Sequence, residues 1–242
     1  MSAGQPENTV RRETGPWTPA VHALLRHLEA KGFEGAPRVV GIDEEGFEVL
    51  TYVPGLAHRP PVPASDEVVA QVGGLVRAYH DATVDFRSPA DAHWQIPGSG
   101  DVICHNDLYA RNIVFRDGAP VALIDFEFAG PGSRLTDIAS AAAFWAPLQT
   151  DEAARLWGLP TDDRGGRLRL LCDAYGLTIR DRPKLLDAVV AYLRRGYDIQ
   201  RRLGLVERRP KWAEMWDAGS GRSILANIEW VEENRSRLRQ SL

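Results

Sequence analysis

Four polar residues between positions 105 and 125 have types and spacings that suit one kind of chemistry. His105, Asp107 and Asn112 form an H-x-D-x4-N pattern within VICHNDLYARNIVF, and Asp125 follows in ALIDFEF. Phosphoryl transfer needs an acceptor oxygen held in line and charge neutralised on the phosphates. Asp107 suits the first need, because a carboxylate can take the proton of an acceptor hydroxyl and aim its oxygen. Asn112 and Asp125 suit the second. They offer hard oxygen ligands to magnesium, which keeps waters and substrate phosphates in its shell. His105 suits holding the loop through hydrogen bonds. Two other readings stand beside this one: His105, Asp107 and Asp125 as a zinc or iron centre for hydrolysis, and ordinary polar turns. No pair of further histidines at helical spacing accompanies the former.

The local pattern explains how such residues would be positioned. Asn112–Phe115 reads as a strand, Asp117-Gly118 as a hairpin turn and Val121–Asp125 as the return strand, which brings Asn112 and Asp125 to neighbouring strand ends. Val102–Cys104 is a short apolar segment just before the motif. Upstream, Thr9–Arg12 is a candidate strand, and Thr18-Pro19 opens a helix whose Val21, Leu24, Leu25 and Leu28 form one apolar stripe. Arg38–Ile42 and Phe47–Val53 read as two strands ended by Pro54-Gly55. Residues 56–64 are proline-rich, and Ser65 caps a helix to about Ala82. From Asp137 the pattern turns helical, with helices predicted at 137–146, 150–157, 164–175, 183–203 and 222–239. The outline is α+β in two lobes, residues 1–55 and 56–242.

The H-x-D-L-x3-N spacing followed by Ile124-Asp125-Phe126 is that of a kinase catalytic loop and its metal-binding strand end. With Glu127 and Asp137-Ile138-Ala139 added, the segment resembles the aminoglycoside phosphotransferase family. That resemblance implies a protein-kinase-like two-lobe fold with a reduced N-terminal lobe and a large helical C-terminal lobe. It implies ATP or GTP with Mg2+, Asp107 as catalytic base, Asn112 and Asp125 as metal ligands, and Asp137 as a brace for the catalytic loop. For Asp137 an N-cap on the following helix is the other reading. Phe47–Gly55 is similar to the family's hinge strand, where the backbone of Thr51 and Val53 would face adenine. The implied activity is O-phosphotransfer to a small hydroxylated molecule, an antibiotic being one candidate. The alternative is a kinase-fold binding or immunity protein without turnover.

The N-terminal lobe departs from that family. The chain begins too late for a glycine-rich loop over the phosphates, so this lobe is expected to be truncated. Arg12 takes the place of the lysine that pairs with the phosphates, and no helix glutamate matches its partner, since Val21 or His22 falls there.

Composition narrows the partners. The chain has 242 residues, 44% hydrophobic and 26% charged, with a formal charge of -4. Disordered, collagen-like and coiled-coil classes are excluded, and a near-neutral chain is not by default a nucleic-acid binder. No apolar run reaches the roughly 18 residues of a membrane span. The N-terminus has no signal-peptide core, and the two cysteines, Cys104 and Cys172, form no metal spacing. A cytoplasmic protein with free thiols is expected. Residues 1–139 carry net -8 and residues 140–242 net +4. Family members acting on polycationic aminoglycosides usually line the acceptor site with carboxylates. Here Asp151, Glu152, Asp162, Asp163 and Asp217 lie near arginine pairs such as Arg194-Arg195 and Arg201-Arg202. Trp145, Trp157, Trp212, Trp216 and Trp230 could line an aromatic pocket or pack the core. A neutral or weakly charged acceptor is expected.

Overall fold

The computed structural model describes residues 8–242. Contacts divide the chain into two units. One holds the residues up to His58 together with Gly74–Asp137, and the other holds Arg59–Gly73 and Ile138–Leu242.

The first unit begins with a three-stranded antiparallel sheet of β1 (Thr9–Arg12), β2 (Val39–Ile42) and β3 (Glu48–Thr51), in the order β1-β3-β2. Between β1 and β2 lies α1 (Thr18–Ala30). Pro19 sits in its first turn, where a missing N–H costs nothing. Thr18 is inside the helix rather than capping it, and its Oγ1 accepts from Gly15 N at 2.9 Å. Val21, Leu24, Leu25 and Leu28 are all buried, so the predicted stripe is the packed face. The helix α2 (Asp66–Thr83) starts where Ser65 Oγ accepts from Val68 N at 3.3 Å, with Asp66 and Glu67 favourably placed in its first turn.

The rest of this unit is made of short strands. β4 (Val102–Cys104) pairs antiparallel with β7 (Gly130–Gly132), a partner the sequence pattern does not announce. β5 (Ile113–Arg116) and β6 (Ala119–Leu123) form the predicted hairpin. Asp117 and Gly118 both have positive φ (50° and 81°), as a tight two-residue hairpin turn requires. Asn112 falls in a 3-10 turn, Ala110–Asn112, just before β5 rather than within the strand.

The second unit is helical: α3 (Arg134–Trp145, entering it at Ile138), α4 (Asp151–Leu156), α5 (Arg164–Tyr175), α6 (Leu185–Gln200), α7 (Pro210–Asp217) and α8 (Ser220–Arg239). α6 packs on α8 through a face that buries Leu186, Val189 and Val190 from α6 and Val231 from α8. The predicted 183–203 helix divides. Its C-terminal end widens into a π-helical segment, Arg201–Val206, and Pro210 then starts the unpredicted α7. At Gly73 of α2, an added Cβ would lie 3.1 Å from Ala174 Cβ and from Leu171 O, so the close packing on α5 leaves little room for a side chain there.

Candidate active site

Every residue of the catalytic-loop motif lies in the first unit. β4 delivers the chain to His105, and the loop then turns through Asn106 at φ 66°, a left-handed conformation that asparagine tolerates better than most residues. Asp137 holds this turn. Its Oδ2 accepts from His105 N at 2.6 Å and its Oδ1 from Asn106 N at 2.7 Å, while His80 Nε2 donates to Oδ2 at 3.1 Å. Asp137 is fully buried. Burial pushes its pKa up, but the His80 hydrogen bond and charge, the nearby His105 and the loop amide together pull it below the ordinary carboxylate range. The N-cap of α3 is instead Ser133, whose Oγ accepts from Thr136 N at 3.3 Å. Asp137 itself lies inside the first turn of α3, past the N-cap position, with both oxygens on loop amides.

The His105 ring makes its contacts within the fold. Its Nε2 lies 2.9 Å from Ile124 O, which can only accept, so Nε2 carries the proton. The ring also packs edge-on against Phe126, with centroids 4.8 Å apart. It therefore ties the loop to the segment that carries Asp125.

Asp107 and Asn112 face one another. Asn112 Nδ2 donates to Asp107 Oδ2 at 2.7 Å and to Asp107 O at 2.9 Å, which turns the amide oxygen of Asn112 away from the Asp107 carboxylate. Arg111 Nη2 reaches the same Oδ2 at 3.3 Å, and its guanidinium lies over the Tyr109 ring. The sequence reading passed over Arg111, although its position four residues after Asp107 places it within reach. Ile124 N donates to Asn112 O at 2.9 Å, so the hairpin does bring Asn112 beside the Asp125 segment. Asp125 has φ 67°, a strained backbone for a non-glycine residue. Arg12 Nη2 forms an ion pair with its Oδ1. The remaining oxygens, Asn112 Oδ1 and Asp125 Oδ2, are an amide and a carboxylate donor, a set that fits a hard cation.

Arg12 has a second carboxylate near it, which the sequence reading missed. Arg12 Nε lies 4.0 Å from Glu48 Oε2, and His22 Nε2 donates to Glu48 Oε1 at 2.9 Å. Burial alone would lower the Arg12 pKa, but the charges of Asp125, Glu127 and Glu48 raise it above the ordinary value. On the hinge side, Thr51 N donates to Arg38 O at 2.9 Å, which commits that N–H within the fold. Val53 lies beyond the end of β3, outside the ladder.

Among the described residues of the second unit, several acidic candidates have internal partners. Asp151 accepts from Arg164 at 2.7 Å, Asp163 caps α5 by accepting from Gly166 N at 2.8 Å, and Asp217 takes two bonds from Arg208, both at 2.9 Å. Trp145 is fully buried beside Phe144 and so belongs to the core, not to a pocket wall. Trp157 packs on Phe144, Trp216 against Tyr197, and Trp230 beneath Arg164. Both cysteines are buried thiols outside any disulfide, and no helix among the described residues is long and apolar enough to cross a membrane.

The sequence model of the phosphotransferase enzyme family matches residues 90–171, which include the whole motif. A trifolitoxin immunity protein from Rhizobium leguminosarum bv. trifolii is 37% identical over 238 residues, covering 92% of this chain and 90% of its own. An amicoumacin kinase in complex with AMP-PNP, Ca2+ and Ami has the same fold, with a TM-score of 0.64 at 12% identity over 93% of this chain and 80% of that one. An ethanolamine kinase from Plasmodium vivax superposes with a TM-score of 0.65 at 12% identity, over 97% of this chain and 78% of its own. The expected α+β, kinase-like fold is therefore the observed one. From the motif, the fold and a relative alike over nearly its whole length, the chain belongs to the phosphotransferase enzyme family.

Proposed function

We propose that the protein transfers the γ-phosphoryl group of ATP or GTP to a hydroxyl of a small molecule, with magnesium held by Asn112 and Asp125. The observation that carries this reading is the Asn112–Asp107 pair. Asn112 donates its Nδ2 to the Asp107 carboxylate, which leaves its amide oxygen for the cation, so one side chain serves both the base and the metal. The second oxygen of Asp107, Oδ1, has no partner among the described residues and is the atom that accepts the acceptor's proton. The acceptor oxygen then bonds to the γ-phosphorus, and the bond to the nucleoside diphosphate breaks with its electron pair on the leaving oxygen. When bound, the metal neutralises charge on the phosphates. Arg12 faces the phosphates, and the backbone at Val53 meets the base. Asp137 and His105 keep the loop in register for the transfer.

The acceptor we infer is neutral or weakly charged. Among the described residues Asp151, Asp163 and Asp217 already have internal partners, and residues 140–242 carry net +4, which disfavours a polycation. The immunity role named for the 37%-identical relative supports an antibiotic or toxin as acceptor. That same name favours a second reading, a protective protein that binds without turnover.

One experiment separates the two. Purified chain is incubated with MgATP and a panel of hydroxylated antibiotics, and products are read by mass. A phosphoryl adduct made by wild type and not by Asp107→Asn supports transfer. Protection in cells that survives Asp107→Asn, with no adduct from any acceptor, supports binding alone.

A further inference from the structure

We infer that Glu48 is the positioning residue for Arg12, and that His22 in turn positions Glu48. This rests on the reading of Arg12 as the residue that faces nucleotide phosphates. In register, Arg12 of β1 stands directly opposite Glu48 of β3. Directly opposed residues on one face of an antiparallel pair are close neighbours, and opposite charges there stabilise the pair. The strand register itself therefore sets the carboxylate against the guanidinium, with no helix residue needed.

Three departures from the family pattern then have one cause. The first is arginine in place of lysine. The Arg12 side chain works in two directions, with Nε toward Glu48 Oε2 and Nη2 on Asp125 Oδ1. A lysine has one ammonium point and cannot span both with a fixed fork. The second is the missing helix glutamate, whose role the strand residue Glu48 fills. The third is His22. Glu48 is buried, and a carboxylate from α1 at this point would meet a like charge in a poorly solvated place. His22 is also buried, and it gives Glu48 Oε1 a donor instead. A cleft lined by Arg12, Glu48, Val21 and Phe126 flanks the guanidinium on the inner side.

The chain His22–Glu48–Arg12–Asp125 thus fixes a positive charge against a carboxylate that also serves the metal. Glu48 touches neither nucleotide nor acceptor and acts through Arg12.

The test is a double-mutant cycle on magnesium AMP-PNP binding, measured by titration calorimetry on the full chain. Glu48→Gln keeps the shape and removes the charge. It should weaken binding by about tenfold or more, the scale of a lost charged partner. In an Arg12→Ala background the same change should cost less than about twofold, because Glu48 has nothing left to position. In turnover, Glu48→Gln should raise KM for ATP more than it lowers kcat. His22→Leu, with its fold checked by circular dichroism, should weaken binding in the same direction, and it carries the test if Glu48→Gln does not fold. Wild-type affinity in folded Glu48→Gln, or an equal loss with and without Arg12, overturns the inference and leaves the nucleotide reading intact. Failure of wild type to bind magnesium nucleotide overturns both.

Discussion

Asn112 Nδ2 lies 2.7 Å from Asp107 Oδ2, and the main-chain oxygen of Asp107 takes a second bond from the same amide at 2.9 Å. Residues 107–112 of the loop are closed into one ring by a single side chain. The orientation of the carboxylate is therefore set before any acceptor arrives.

This relationship predicts separable effects at Asp107. Asp107→Asn keeps the size and removes the proposed general base, so kcat should fall about 10²–10⁴-fold. Nucleotide affinity, measured by titration with magnesium AMP-PNP, should change little, because Asp107 is on the acceptor side. Equal losses in kcat and in nucleotide affinity would count against the assignment.

At Asp125 the outcome differs. Asp125→Ala removes one of the two proposed metal ligands and also releases Arg12 from its ion pair. Nucleotide binding should lose its dependence on magnesium, read by titration with and without EDTA. Retention of the full magnesium dependence would show that the metal is held elsewhere.

Asp137 governs stability. Asp137→Ala leaves His105 N, Asn106 N and His80 Nε2 without their acceptor in a fully buried place. Breaking such a buried arrangement costs about 3–5 kcal/mol. At about 2–4 °C per kcal/mol for a chain of this size, Tm should fall by at least roughly 6 °C. The folded-state pKa of Asp137 is depressed, so its stabilisation is present above its unfolded-state value and is lost as pH falls through the folded one. The Tm difference between wild type and Asp137→Ala should therefore be large at neutral pH and narrow below about pH 4. A difference that stays constant down to acid pH would contradict the depressed value.

Cys172 should be silent in the native protein. Burial, the main cause, pushes its thiol up to about 12, so almost no thiolate exists near neutrality. Cys104 is also fully buried and donates to Ser133 O at 3.2 Å. Iodoacetamide at pH 7.5 should label neither cysteine until denaturant is added, with labelling followed by mass. Rapid native labelling at Cys172 would mean that α5 opens locally.

Elements whose signals are local were legible in the amino-acid pattern. Leu24, Leu25 and Leu28 repeat at helical spacing and form the buried face of α1, and Asp117-Gly118 supplies the two positive φ angles that the hairpin needs. The spacing of His105, Asp107 and Asn112 was legible because a tight loop leaves few ways to place three polar side chains. Only the tertiary structure decided what depends on register and on chain segments far apart. Arg12 and Asp125 are 113 positions apart, His80 and Asp137 are 57 apart, and Arg12 meets Glu48 through the alignment of β1 on β3. β7 escaped notice because Gly130-Pro131-Gly132 has no strand propensity and pairs only because β4 offers it an edge. The widening of α6 into a π-helical segment escaped for a related reason. Gly204 lies against the Trp212 carbonyl, where an added Cβ would come within 2.5 Å, and that approach is set by the packing of α7. Periodicity reports which face of an element is apolar. It carries no information about which distant partner will cover that face, or about the charges that partner brings.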